Sequence, residues 1–107
     1  PTAGTQMFPD VVGVQVSAEG EEYAFDVTIS SPYDSPQRYA DAFRVRSADG
    51  TVHGVRELGH DHAAEQPFTR TLSGVRLPPG TAEVVVEARD LQHGWGGGTR
   101  TVLVPPG

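Results

Sequence analysis

The sequence predicts an all-β domain, an antiparallel β-sandwich of about seven strands, and three observations support this fold class. Apolar residues recur with a period of two through most of the chain, as in strands that bury one face. The 13 glycines and 9 prolines fall largely between the alternating segments, where turns are expected. No segment carries the apolar stripe of an amphipathic helix. The 107 residues suffice for one domain, residues 1–107, with tails expected at 1–9 and 105–107.

The first two predicted strands lie in the first third of the chain. Residues 12–16 alternate valines with Gly13 and Gln15, and residues 23–30 alternate large apolar side chains with small or polar ones, the first of which is Ala24. Residues 31–36 contain two prolines, which cannot donate to a β-ladder. The second strand is therefore expected to end there.

A hairpin follows in the middle of the chain. Residues 39–47 form the third predicted strand and residues 51–58 the fourth, joined by the dipeptide Asp49-Gly50. This dipeptide is typical of a tight turn, so the two strands should pair antiparallel. Residues 59–66 form a polar loop.

Three further strands complete the prediction: residues 67–75, 82–90 and 99–104. The glycine-rich residues 94–98 are interpreted as the loop before the last strand. Inward-facing apolar positions predict the core. The predicted core residues are Val12, Val14, Phe25, Val27, Ile29, Phe43, Val45, Phe68, Leu72, Val84, Val86 and Val102.

Composition excludes several classes of function. The net charge is −6 and all eight basic residues are arginine, so phosphate backbones would be repelled and no nucleic-acid partner is expected. Cysteine is absent, which removes disulfides, thiolate metal sites and cysteine nucleophiles. No run approaches the ~20 apolar residues of a membrane-spanning helix, so no membrane insertion is expected. Because the chain begins at Pro1 rather than Met, we expect a processed, periplasmic or secreted protein, or a module of a longer one.

Two segments resemble fibronectin type III and related immunoglobulin-like modules. Residues 72–81, Leu-Ser-Gly-Val-Arg-Leu-Pro-Pro-Gly-Thr, resemble the turn that feeds the sixth strand of these modules, and residues 25–32 are similar to their second strand. Glu83 stands at the position of the family's corner tyrosine, and the family's core tryptophan is missing. The resemblance implies an immunoglobulin-like sandwich and no particular activity.

A second resemblance rests on His60-x-His62, on Glu65 to Arg70, and on the His-Gly-x-Gly-Gly segment that begins at His93. This combination is similar to small uncharacterised bacterial exported proteins. The resemblance implies export and carries no activity with it.

The direction of the strands predicts which histidines share one end of the fold. If consecutive strands alternate in direction, the connections after the second, fourth and sixth strands lie together. His60 and His62 fall in the second of these connections and His93 in the third. His53, at the start of the fourth strand, belongs toward the opposite end.

Clustered imidazoles predict a metal site. Two histidines at i and i+2 of an extended segment point the same way, and a third from another loop completes a facial set. Imidazole nitrogens suit zinc, copper and nickel. The leading hypothesis is an exported, non-catalytic module that binds a divalent transition metal, copper or zinc, through His60, His62 and His93. Solvated loop histidines without a ligand are the simpler interpretation of the same residues.

The alternative hypothesis is a module that recognises a protein or glycan partner without metal. Tyr33 and Trp95 are the candidate partner contacts, since both are predicted in loops at the histidine end. A tryptophan among glycines can instead fold back over the end of a sandwich. No catalytic residue is predicted, because no Gly-x-Ser-x-Gly elbow or comparable nucleophile context is present.

Overall fold

The computed structural model describes residues 8–31, 34–59, 62 and 64–105. Regular structure in these residues consists of seven strands, which confirms the predicted all-β class. The strands are β1 (Asp10–Glu19), β2 (Glu22–Ser30), β3 (Ala40–Arg46), β4 (Val52–Glu57), β5 (Phe68–Val75), β6 (Glu83–Asp90) and β7 (Gly94–Leu103). Within the described ranges no helix has the length and hydropathy needed to span a membrane.

The strands form two sheets in an antiparallel sandwich, as predicted. One sheet has the order β1-β2-β5 and the other the order β4-β3-β6-β7. Every paired neighbour is antiparallel. This all-β, two-sheet architecture agrees with the fold that the immunoglobulin-like resemblance implies.

The core lies between the sheets and comes from the alternating apolar positions. Phe25, Phe43 and Phe68 are its largest members, each at most 1% exposed. Burying one such side chain stabilises the fold by about 1.5–3 kcal/mol. The predicted core residues Val14, Leu72 and Val102 are half-buried against this cluster. The remaining predicted core residues, Val12 excepted, are fully buried: Val27, Ile29, Val45, Val84 and Val86.

Val12 was predicted in the core, and this prediction is wrong. Its side chain is 40% exposed, whereas that of Val11 is 3% exposed. The register of β1 against β2 shifts between Val11 and Gly13. Because side chains alternate strictly along a strand, one extra residue there changes which side chains face inward.

The last strand also differs from the prediction. It begins at Gly94, so residues 94–98, which were predicted to be a loop, belong to β7. Gly97 has a φ of +84°, a conformation that favours glycine. Phe8 and Pro9, expected in a tail, lie against this glycine run, and Pro9 is fully buried. The glycines therefore allow a close approach of the two chain segments, which a sequence pattern cannot reveal.

Candidate functional site

Three connections meet at one end of the sandwich, which we call the rim. They are the β2–β3, β4–β5 and β6–β7 connections, at residues 31–39, 58–67 and 91–93. His62 donates its backbone N–H to Asp34 Oδ2 at 3.0 Å, which joins the first two connections. The backbone N–H of Leu91 donates to the carbonyl of Tyr39 at 2.9 Å, which joins the third. The rim therefore forms where alternating strand direction predicts it.

His62 is held on several sides. Its carbonyl accepts hydrogen bonds from the backbone N–H of Glu65 at 2.9 Å and from Gln66 Nε2 at 2.8 Å. Its ring stacks on Phe68 with centroids 4.0 Å apart and an interplanar angle of 13°. The residue is 5% exposed. Backbone and ring of His62 are thus positioned independently, the backbone by polar groups and the ring by the core.

Asp34 organises the connection before β3. The residue is 6% exposed, and its carboxylate accepts from two backbone amides, those of His62 and, at 3.2 Å, Ala40. A buried carboxylate is costly unless it is hydrogen-bonded, and these amides provide that compensation. Asp34 therefore fixes His62 relative to the start of β3.

Asp90 does the same for the third connection. It is 1% exposed, and its Oδ2 accepts from the backbone N–H groups of Gln92 at 3.0 Å and His93 at 2.9 Å. Arg38 donates through Nε to the same carboxylate, at 3.0 Å from Oδ1. An aspartate that binds amides two and three residues later is a common turn arrangement, so Asp90 could have been identified from the sequence.

The two carboxylates are connected through a short piece of backbone. Arg38 pairs with Asp90, the carbonyl of Tyr39 accepts from Leu91, and Ala40 donates to Asp34. Three consecutive residues thus link both acids. The positions of the His62 and His93 backbones are therefore set by one shared framework.

The predicted metal ligands are only partly placed by the structure. His62 and His93 lie on the rim, and the exposed His93 ring meets Phe8 edge-on with centroids 6.1 Å apart. His60 and Tyr33 lie outside the described residues. Among those described, no three histidine, aspartate or glutamate side chains form a group able to hold a metal ion. The three-histidine site therefore stays a prediction.

His53 lies away from the rim, as the strand directions predict. It is on β4 just after the β3–β4 turn, and its Nε2 is 2.7 Å from the hydroxyl of Ser47. The two residues form a hydrogen bond across the hairpin. His53 is therefore the natural control for the rim histidines.

Trp95, the other candidate partner contact, lies on β7 rather than in a loop. It is half-buried and pairs with Arg89 of β6. The guanidinium of Arg44 lies 3.9 Å from the centroid of its ring, and that of Arg89 lies 5.4 Å away. Such cation–π contacts cover part of the indole face. The side chain is therefore partly engaged within its own sheet.

The same sheet face carries a network of ion pairs. Glu87 pairs with Arg44 and, at 3.0 Å, with Arg46, while Arg89 pairs with Asp41 at 2.7 Å. Burial by itself would raise the pKa of Glu87, but hydrogen bonds from Arg46 and Arg44 hold this pKa below its ordinary value. The hydrogen bond to Asp41 raises the pKa of Arg89. Glu87 is therefore stabilised as a carboxylate between two guanidinium groups.

A relative and a structural neighbour are known. No family model matches the chain. A protein of Halomicrobium mukohataei described as "Putative lipoprotein" is 41% identical over 81 residues, which are 76% of this chain and 39% of that protein. The chain thus spans about two fifths of this relative's length.

One structural neighbour is a hypothetical protein from Pyrococcus horikoshii OT3. Its crystal structure superposes with a TM-score of 0.57 over 92% of this chain and 88% of that one, at 13% identity. At this identity the likeness shows the fold alone.

Proposed function

We propose that this chain is a β-sandwich domain of an exported protein. The support is the description of the Halomicrobium mukohataei relative as a lipoprotein. The acidic, cysteine-free composition is compatible with this location. Export sets where the domain works and leaves open what its rim binds.

The rim is proposed to bind a divalent transition metal, copper or zinc, through His60, His62 and His93. The observation that carries the proposal is that a buried carboxylate fixes the backbone of each described rim histidine, Asp34 for His62 and Asp90 for His93. Removing the residues that surround metal ligands and hold them in position typically changes metal affinity by about 10–100-fold. Histidines with a fixed backbone position therefore favour metal binding. The proposed role is metal carriage or stabilisation of the rim rather than turnover.

The stacking of His62 on Phe68 is compatible with ligation. The ring nitrogens of an imidazole lie in the plane of the ring, so a partner packed against its face leaves the direction of coordination at its edge. Phe68 stacks on the face of the His62 ring at an interplanar angle of 13°. It therefore orients the ring and does not itself occupy the edge that carries the nitrogens. His93, by contrast, is exposed and lies at the outer part of the rim.

Calorimetric titration of untagged protein with copper and with zinc tests this function. We expect His60→Ala and His93→Ala each to weaken binding by at least about tenfold, since each removes one of three ligands. His53→Ala is the matched control, because His53 lies on β4 and binds Ser47 instead. Equal affinity in the wild type and in both rim variants would overturn the proposal.

Recognition of a protein or glycan is the second candidate function. The placement of Trp95 beside Arg44 and Arg89 on an outer sheet face supports it, since aromatic and arginine side chains are enriched in binding surfaces. Acidification separates the two candidates. Metal affinity should fall as the pH is lowered, because protons compete with metal for imidazole nitrogens, whereas binding through Trp95 should change little.

A further inference from the structure

The segment that leads into β1 lies directly on the glycine run of β7. A Cβ atom on Gly96 would be 2.6 Å from Cδ1 of Phe8, and one on Gly97 would be 2.2 Å from the carbonyl oxygen of Pro9. Real Cβ atoms essentially never approach other atoms this closely. The segment Phe8–Asp10, which we call the strap, therefore fits only where β7 has no side chains.

The strap is also attached by hydrogen bonds. The backbone N–H of Gly98 donates to Asp10 Oδ1 at 2.6 Å. Just beyond the strap, Arg100 donates through Nη2 to the carbonyl of Val12 at 3.0 Å. Steric fit and polar contacts thus hold the same stretch of chain against β7.

The docked strap reaches the rim through Phe8. The rings of Phe8 and His93 meet edge to face, with centroids 6.1 Å apart and an interplanar angle of 69°. This distance lies in the favourable range for aromatic pairs. Because Asp90 already fixes the backbone of His93, side-chain rotation is the freedom that contact with Phe8 can restrict.

We propose that Phe8, seated on Gly96, is a positioning residue for the His93 imidazole, so that docking of the strap controls the metal affinity of the rim. The part concerning affinity rests on the proposed metal-binding function. The part concerning the position of His93 does not depend on it. Displacement of the strap would then change the position of the His93 imidazole, and with it the metal affinity, without replacing any of the proposed ligands.

Three variants test the steric part of the proposal. Gly96→Ala places a methyl group where the Phe8 ring lies and should expel the ring, and Phe8→Ala removes the ring. In the double variant the clash is absent. Gly13→Ala is the control, because a Cβ there makes only an ordinary 3.7 Å contact with Cβ of Thr28.

NMR spectroscopy of the metal-free protein gives the first readout. We expect nuclear Overhauser contacts between the rings of Phe8 and His93 in the wild type and in Gly13→Ala. These contacts should be lost in Gly96→Ala, together with a changed His93 ring signal. An unchanged His93 ring signal in Gly96→Ala would overturn the positioning role, whether or not the protein binds metal.

Titration with copper gives the second readout. Gly96→Ala and Phe8→Ala should each weaken binding by about tenfold, and the double variant should be no weaker than Phe8→Ala alone. If the variants lose the contact between the Phe8 and His93 rings but bind copper as tightly as the wild type, the strap does not control metal affinity. The proposed metal-binding function is unaffected by that result. Absence of binding by the wild type overturns the proposed function, and the NMR result then decides the positioning role alone.

Discussion

The two ends of the sandwich are closed in different ways. At the end opposite the rim, the turns between β1 and β2, β3 and β4, and β5 and β6 each contain a glycine with positive φ: Gly20, Gly50 and Gly80. At the rim, Gly94 also has a positive φ, but buried polar side chains hold the connections. Four of the five buried polar residues in the described ranges lie there: Ser31, Asp34, His62 and Asp90.

This difference shows which end has a precisely specified geometry. A glycine turn allows a backbone conformation with positive φ, and the turn itself stays exposed to water. A buried carboxylate costs free energy unless its partners are correctly placed, so each one requires a particular arrangement of the chain. A binding site needs a single ordered arrangement of loops. This favours the rim over the opposite end with Gly20, Gly50 and Gly80, which we call the glycine end.

Removal of a rim carboxylate should have the largest effect. Asp90→Ala leaves Arg38 and the amides of Gln92 and His93 without their shared acceptor, so we expect a loss of about 3 kcal/mol in the free energy of unfolding. Urea denaturation measures it. The control is Asp49→Ala at the glycine end, where the carboxylate is exposed and accepts from Thr51. Equal losses in both variants would remove the distinction between the ends.

The buried acid outside the rim provides a sharper test through pH. Glu87→Gln should cost about 2 kcal/mol at pH 7, because its hydrogen bonds to Arg44 and Arg46 lose their ionic character. The folded-state pKa of Glu87 is lowered, so its stabilising contribution is complete above the ordinary pKa of a glutamate in the unfolded chain. That contribution is lost as the pH falls through the folded-state pKa.

Unfolding free energies at neutral and acid pH give the measurement. The difference between wild type and Glu87→Gln should shrink when the pH falls from about 7 to about 3. Glu83→Gln, at an exposed position on the same outer face of β6, is the control and should differ little from wild type. A Glu87 effect that does not depend on pH would show that packing rather than charge stabilises this position.

The smallest predicted effect concerns the glycine end. Gly50 has a φ of +96°, so Gly50→Ala should lower the free energy of unfolding by about 1 kcal/mol. Gly59→Ala, in a rim connection with no atom within 4 Å of the added Cβ and no positive φ, should be neutral or slightly stabilising. Thermal unfolding followed by circular dichroism compares the two. A larger loss at Gly59 would contradict the description of the two ends.

Sequence reasoning was accurate where a local pattern carries the information. Period-two alternation around Phe25 and Phe43 predicts their burial, and Asp49-Gly50 predicts the β3–β4 hairpin. It failed at Val12, because the bulge between Val11 and Gly13 shifts the alternation by one residue. The pairing with β2 decides that shift, and no local signal in β1 announces it.

The candidate site divides in the same way. Alternating strand direction predicts that the His62 and His93 connections share an end, and an aspartate before a turn, as at Asp90, is a recognisable local signal. The role of Asp34 was not predictable, because its partner His62 is 28 residues away in the chain. The packing of Phe8 on Gly96 was not predictable either, because it brings together residues near opposite ends of the sequence.

The sequence by itself determined the all-β class, the hairpins and most of the core, because hydrophobic alternation and turn residues act over a few positions. The tertiary structure alone decided that Val11 faces the core and where β7 begins. It also decided the carboxylate framework of the rim and the docking of the strap. These features depend on contacts between residues far apart in the chain. Such contacts exist only once the two sheets have packed.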